Sequence, residues 1–321
     1  MQLRHLRYFV KIVEAGSFSR AAATIHVAQP ALSQQIAELE EQLGLKLLHR
    51  SARGVRPTAA GEVFYREASS ILRQMEQLPG IVRSSGGEIE GSVRLGMSST
   101  LAAPLAGPFI DSCKAALPKV TLKFAVADSE ALKARIDANT LDLALVFEDE
   151  LVVKFARLLL FRQRLYLVRR TPPVGKTASV SLREIGKLPL ILPSAPNVTR
   201  VLLDRAFAAE DIEPNVAVEA DVLSSILSAV RTGIGNTILP RGDLAGVSSE
   251  DLAQPVLIEP PLYLTASIIS SSDYPLTRAG EEVRSVLTQF VGDHLHKTPA
   301  PGSEWIAANA AISGADRPIS K

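Results

Sequence analysis

Residues 17 to 58 read SFSRAAATIHVAQPALSQQIAELEEQLGLKLLHRSARGVRPT, and the fold of the N-terminal region is decided here. Leu32, Ile36, Leu39 and Leu43 fall at spacings of four, three and four, so one face of a helix is buried and Gln29, Ser33, Gln34 and Gln35 lie away from it. Pro30 is tolerated in the first turn of that helix, and Gly44 supplies a left-handed stop. Upstream, a short helix from about Phe18 to Ile25 carries Ala21, Ala22 and Ala23, small enough for close helix approach, with Ser17 suited to its N-cap. Leu3, Leu6, Phe9 and Val13 mark an earlier helix that Gly16 ends. Downstream, Leu45, Leu47 and Leu48 suit a short strand, and Arg50, Arg53 and Arg56 surround Gly54 in a tight loop. A two-stranded wing follows, and the whole predicts a winged helix-turn-helix over residues 1–58.

The chemistry of the third helix points to double-stranded DNA. Gln29, Pro30, Ser33 and Gln34 cluster at its start, where amides and a hydroxyl suit base edges in a major groove, while Arg50 and Arg53 are placed to serve phosphates or the wing. Residues 1–58 hold eight Lys or Arg against four Asp or Glu, an excess of four in a chain whose formal charge is only +1. The positive field is therefore concentrated at this end, provided Glu38, Glu40 and Glu41 point away from phosphates.

These residues carry a family resemblance. SFSRAA at Ser17 to Ala22, QPALSQQI at Gln29 to Ile36, LEEQLG at Leu39 to Gly44 and PTAAG at Pro57 to Gly61 closely resemble the DNA-binding domain of LysR-type transcriptional regulators. The resemblance implies that Gln29, Pro30 and Ser33 approach DNA and that Arg53 approaches the backbone or minor groove. Three departures stand out: Ala28 replaces the usual Ser or Thr before Gln29, Gln34 replaces a frequent Arg, and Leu48 and His49 replace Phe and Glu. The first removes a helix cap; the second removes a cation near the groove.

From Thr58, an N-cap candidate, Phe64, Ala68, Ile71, Met75, Leu78 and Val82 alternate at coiled-coil spacing, which marks a dimerisation helix within a linker of residues 59–90, with packing of the stripe on its own domain the alternative. Pro79 and Gly80 predict a kink or end near Leu78. The resemblance implies a homodimer or homotetramer on a partly palindromic site, at a promoter where RNA polymerase is a further candidate partner.

The chain has 321 residues, 46% of them apolar and 21% charged, enough for two or three cored domains. Arg4, His5, Arg7 and Lys11 interrupt any signal-peptide core and no run reaches a membrane span, so a soluble, cytoplasmic and nucleoid-associated protein without a membrane partner is expected. Cys113 is alone, as in a reducing compartment, and its apolar setting suits a buried thiol.

Beyond the hinge glycines Gly86, Gly87 and Gly91, strands and helices take turns over residues 91–296. Strands are read around Val93 to Met97, Val120 to Val126 and Leu141 to Phe147, with a helix at Leu132 and Ile136, giving a parallel α/β sheet. A second set begins at Leu165 and includes Leu188 to Leu192, Val216 to Ala220 and Thr237 to Leu239, before Tyr263 to Ile269 returns to the first sheet. The expected lobes are 91–163 with 265–296, and 164–264; the resemblance implies a periplasmic-binding-protein-like effector domain with a small molecule in its cleft. Ser98, Ser99 and Thr100 precede the helix from Leu101, and Asn197 and Thr199 open a helix in the second lobe. Ser129, Phe147 and Gly235 complete the candidate effector ring. Glu148, Asp149 and Glu150 are expected to be solvated; facing inward, they would disfavour an anionic effector.

Catalysis finds no support in the sequence. There is no GxGxxG, Walker or GxSxG motif, and the histidines, His5, His26, His49, His294 and His296, all lie outside the cleft segments, so neither a catalytic residue nor a cofactor or metal site is expected. An exported solute-binding or enzymatic α/β protein would leave the first 58 residues unexplained. Residues 297–321, rich in Ala, Ser, Gly and Pro, are expected to form a disordered tail, with docking of Trp305 and Ile306 the alternative.

Overall fold

The computed structural model describes residues 1–51, 54–84, 88–148, 154–171, 179–244, 252–297 and 302–306. Helix α1 (Leu3–Ala15) stops at Gly16, whose φ of 61° is the left-handed conformation that glycine adopts without a Cβ clash. Helix α2 (Phe18–Thr24) begins at Ser17, whose hydroxyl accepts the Arg20 amide at 3.5 Å. His26, at a φ of 57°, turns the chain into α3 (Gln29–Leu43), which Gly44 ends as Gly16 ends α1. Leu32, Ile36 and Leu39 are fully buried with Phe9, Ile12 and Phe18 in one core. Burying each such large side chain stabilises by about 1.5–3 kcal/mol.

Strands β1 (Leu48–Ser51) and β2 (Gly54–Pro57) pair antiparallel as the wing. The strand begins at Leu48, later than the expected Leu45, because the buried Glu40 carboxylate accepts the Leu47 amide at 2.9 Å and the Leu48 amide at 3.2 Å and pins this segment as a turn. Helix α4 (Ala59–Ser84) starts where Thr58 Oγ1 accepts the Gly61 amide at 3.0 Å. A Cβ on Gly61 would sit 2.0 Å from the Leu47 carbonyl oxygen, so only glycine fits there. Of the kink or end expected near Leu78, the end does not occur: the helix runs through Pro79 to Ser84. Pro79 and Met75 are both exposed, so water can reach the Met75 carbonyl that the proline leaves without a helix partner.

The remaining elements are β3 (Gly91–Ser98), α5 (Ser99–Ala116), β4 (Val120–Ala127), α6 (Ser129–Asp137), β5 (Leu143–Glu148), β6 (Phe155–Val168), β7 (Ser179–Ser181), α7 (Leu182–Ile185), β8 (Leu190–Leu192), α8 (Val198–Ala209), β9 (Val216–Glu219), α9 (Leu223–Arg231), β10 (Thr237–Pro240), β11 (Val256–Glu259), β12 (Tyr263–Ser271), α10 (Arg278–Lys297) and β13 (Ser303–Trp305). β3 pairs parallel with β4 and β5, but β12 runs antiparallel to both β5 and β6, so the expected parallel sheet is a mixed one. β6 explains the difference. Its residues 155–164 pair with β12, and its residues 165–168 pair with β10, so one 14-residue strand serves both lobes. The segment read as starting at Leu165 is the second half of this strand. β8 and β9 form a parallel pair beside it in the second lobe. Val93, Leu95 and Met97 of β3, Phe109 of α5 and Val283, Leu287 and Val291 of α10 fill the first lobe's core.

The expectation of disorder over 297–321 is corrected at both described parts. Lys297 ends α10, and β13 pairs with Phe161, Arg162 and Gln163 of β6. Trp305 ring atoms lie 3.3 Å from the Cβ position of Gly292 on α10, a contact no larger residue would leave open. Residues 298–301 and 307–321 lie outside the described residues.

Candidate functional site

The start of α3 and the wing meet through one arginine. Arg50 Nη1 donates to Ser33 Oγ at 2.9 Å, and its guanidinium carbon lies 4.2 Å from the centroid of the Phe18 ring. The cation is therefore held against the third helix by a hydrogen bond and a π face, with its remaining N–H groups available. Gln29, Pro30 and Gln34 are exposed beside it. Ala28, at the N-cap, makes no side-chain cap bond, as its identity requires, so no side chain competes for the first amides of α3. Glu38 accepts Gln34 Nε2 at 3.0 Å and Gln35 Nε2 at 2.9 Å, which occupies its carboxylate within the helix. Arg53 lies outside the described residues.

Sequence reasoning missed Phe18 and Glu40 at this site. Glu40 holds the chain between α3 and the wing: burial pulls its carboxyl up, but the bonds from Lys46, Leu47 and Leu48 outweigh that and hold it below its ordinary value. The signal available in the sequence was an acid at a core position of α3, one residue after Leu39.

The stripe on α4 splits between two partners. Phe64 meets Phe9 edge-on at 4.9 Å and Ala68 is buried against Leu6 and Val10, so these two belong to the DNA-binding unit's own core and not to a dimer seam. Further along, Ile71, Met75, Leu78 and Val82 are exposed, from 42% at Ile71 to 63% at Val82. α1 is shorter than α4 and covers only the first half of the stripe; at 1.5 Å per residue the second half extends past it. Arg73, on the same helix, forms a buried ion pair with Asp142 of the first lobe at 3.1 Å.

In the two-lobed domain, Ser98, Ser99, Thr100 and Ser129 come together at the carboxyl ends of β3 and β4, the side of a parallel sheet where ligands bind. Ser98 occupies the N-cap of α5 without making the cap bond, and its buried hydroxyl has no hydrogen-bond partner. Ser99 Oγ donates to the Ala127 carbonyl at 3.4 Å. Asn197 does act as a cap, accepting the Thr199 amide at 2.9 Å. Phe147 departs from the expected ring: it is buried in the core, edge-on to Phe161 at 6.3 Å, because its strand is covered on both faces. At Gly235 a Cβ would stand 2.8 Å from the Pro189 carbonyl oxygen, so close backbone approach accounts for that glycine. Between α6 and α8 lies a cavity of about 440 Å³ lined by Lys133, Asp137, Lys154, Pro196, Val198 and Arg205. None of the eight expected effector residues lines it, although Pro196 and Val198 bracket Asn197.

Glu148 corrects the expectation of a solvated acidic cluster. It is 1% exposed and receives both Nε and Nη2 of Arg157, at 2.8 and 2.9 Å, so its charge is matched within the fold. Asp149 and Glu150 lie outside the described residues. Cys113 is buried, and burial pushes its thiol up, which keeps it in the unreactive form. Among the described residues no group of His, Cys, Asp and Glu is arranged to hold a metal ion, and no helix is long and apolar enough to cross a membrane.

Comparison with known proteins agrees with this two-part construction. Residues 3–62 match the family of bacterial regulatory helix-turn-helix proteins of the lysR type, and residues 86–291 match the LysR substrate binding domain. The nitrogen assimilation regulatory protein nac of Klebsiella aerogenes is 32% identical over 295 residues, covering 91% of this chain and 95% of that protein. Full-length OxyR from Pseudomonas aeruginosa shares the fold at a TM-score of 0.69 and 22% identity, over 91% of this chain and 94% of that one. Full-length CbnR, solved in complex with its target DNA, does so at 0.62 and 22%, over 92% and 99%.

Proposed function

The chain belongs to the LysR family of transcriptional regulators, and on that premise we propose that it reads a partly palindromic promoter site as a homodimer, or as a homotetramer of such dimers, under the control of a small molecule held between its lobes. The observation that carries the DNA part is the Arg50–Ser33 contact, which places a wing cation at the exposed, amide-rich start of α3. Gln29, Pro30, Ser33 and Gln34 then face base edges, with Arg50 and Arg53 on the backbone. Pairing is supported by the exposed Ile71, Met75, Leu78 and Val82, four apolar side chains in one helical stripe that a second α4 would cover. The unpartnered Ser98 hydroxyl at the start of α5 supports an effector with a hydrogen-bonding group, received by Ser98, Ser99, Thr100 and Ser129 and by Asn197 and Thr199 across the cleft. Such a regulator works within the nucleoid, beside RNA polymerase.

Sedimentation and footprinting of wild type and Ile71→Glu/Leu78→Glu test the pairing together with the reading. The wild type should sediment as a dimer or tetramer and protect two half-sites one or more helical turns apart, about 34–36 Å per turn. The double variant should sediment as a smaller species and lose the paired protection. An unchanged oligomer and footprint in the double variant would refute the α4 seam.

A further inference from the structure

A second cavity, of about 680 Å³ and partly open to solvent, lies between the DNA-binding unit and the first lobe. We propose that it binds a small organic polyanion, a phosphate ester or a di- or tricarboxylate, at a site separate from the interlobe cleft. Its volume falls in the range of about 300–1,000 Å³ usual for small-molecule sites. α1 and α4 form one wall, β4 and the turn that follows α6 the other.

The charge of the lining decides the ligand class. Six cations line the cavity against two acids, Glu14 and Glu76. Lys11 is paired with Glu14 at 2.6 Å, Arg94 with Glu76 at 2.6 Å, and Arg73 with Asp142 at 3.1 Å. That leaves Arg7 from α1, Lys123 from β4 and Arg135 from α6 with no carboxylate at ion-pair distance among the described residues. Three cations delivered by three different elements to one cavity repel one another until an anion enters.

Asn139 borders the same cavity and helps fix its wall: it is only 1% exposed, and its carbonyl accepts Arg73 Nη1 at 3.3 Å. Arginine forks bind carboxylate and phosphate oxygens bidentately. Val10, Leu72 and Phe124 give the remaining wall an apolar surface for a carbon skeleton. An anion seated here would bridge the DNA reader to the first lobe and couple their relative positions to metabolite concentration.

Calorimetric titration of the full-length protein with citrate and with inorganic pyrophosphate, at constant ionic strength, tests the site. Saturable binding of either probe is expected, citrate alone indicating the carboxylate class and pyrophosphate alone the phosphate class. Arg7→Gln/Arg135→Gln should weaken that binding at least tenfold, and Lys123→Gln, which removes the third cation, should weaken it as well. Both sets of changes alter lining side chains without emptying a core. The proposal is overturned by wild-type protein that gives no saturable heat at about 10 mM of either probe, or by variants that bind as tightly as wild type.

Discussion

Replacing Arg73 should cost the protein more than any other change at the junction of α4 with the first lobe. Its side chain is 7% exposed, Asp142 is 5% exposed, and Nη1 lies 3.1 Å from the carboxylate. The same Nη1 donates to the Leu141 carbonyl at 3.0 Å and the Asn139 carbonyl at 3.3 Å. Burial pushes the guanidinium down from its ordinary value and Asp142 opposes the shift, but an arginine stays charged at any working pH. In Arg73→Met the Asp142 carboxylate keeps the Arg94 amide at 2.7 Å and loses its guanidinium. Breaking a buried pair from one side costs about 3–5 kcal/mol. Because Arg73 borders the junction cavity, water can reach the freed carbonyls, which places the loss near the lower end, at about 3 kcal/mol. Urea unfolding followed by Trp305 emission reports the first lobe, since β13 lies on β6 there. With Asp142→Asn and the double variant, a double-mutant cycle should return a coupling of about 2 kcal/mol. A loss below about 0.5 kcal/mol, with additive single changes, would refute the claim that this pair docks the linker helix.

Three further outcomes follow from the same geometry. Arg50→Ala should weaken binding to all DNA sequences and lower the salt slope by about 0.9 per lost phosphate contact, read by fluorescence anisotropy across salt; an equal slope would exclude a phosphate role. Glu40, held below its ordinary value of 4.5, contributes stability that is full above that value and is lost as pH falls through its folded value. Glu40→Gln should therefore destabilise the DNA-binding unit by about 2 kcal/mol at neutral pH and converge with wild type in acid; a gap that persists in acid would contradict the sign. Trp305 is the chain's single tryptophan, so native emission should be blue-shifted and should move to the red on unfolding, whereas a free tail would emit at the red position throughout.

The DNA-binding unit was legible because its elements are local. Leu32, Ile36 and Leu39 share one helical face, and Gly16 and Gly44 stop their helices without help from distant residues. The α4 stripe was legible as a stripe, but periodicity does not say which partner covers which part, so Phe64 and Ala68 were grouped with Ile71 and Leu78 although α1 buries them. β6 was half hidden for a different reason. Arg157, Arg162 and Arg164 break its apolar run, and the acids that pair with them, Glu148, Glu304 and Glu259, lie 9, 142 and 95 residues away. β13 is three residues long and exists only because β6 offers it an edge. Phe147 shows the limit at the cleft: a position at the end of a strand is visible in sequence, while the face its side chain takes depends on Phe161 across the sheet.

Selection of bound duplexes from a random DNA pool by the purified full-length protein, repeated with Gln29→Ala, tests the central claim most directly. The account predicts two related half-sites for wild type, one or more helical turns apart, and for the variant a loss of discrimination worth about 1–3 kcal/mol at the same position in each half-site. Recovery of no common sequence by wild type, or of an identical sequence by the variant, would contradict it.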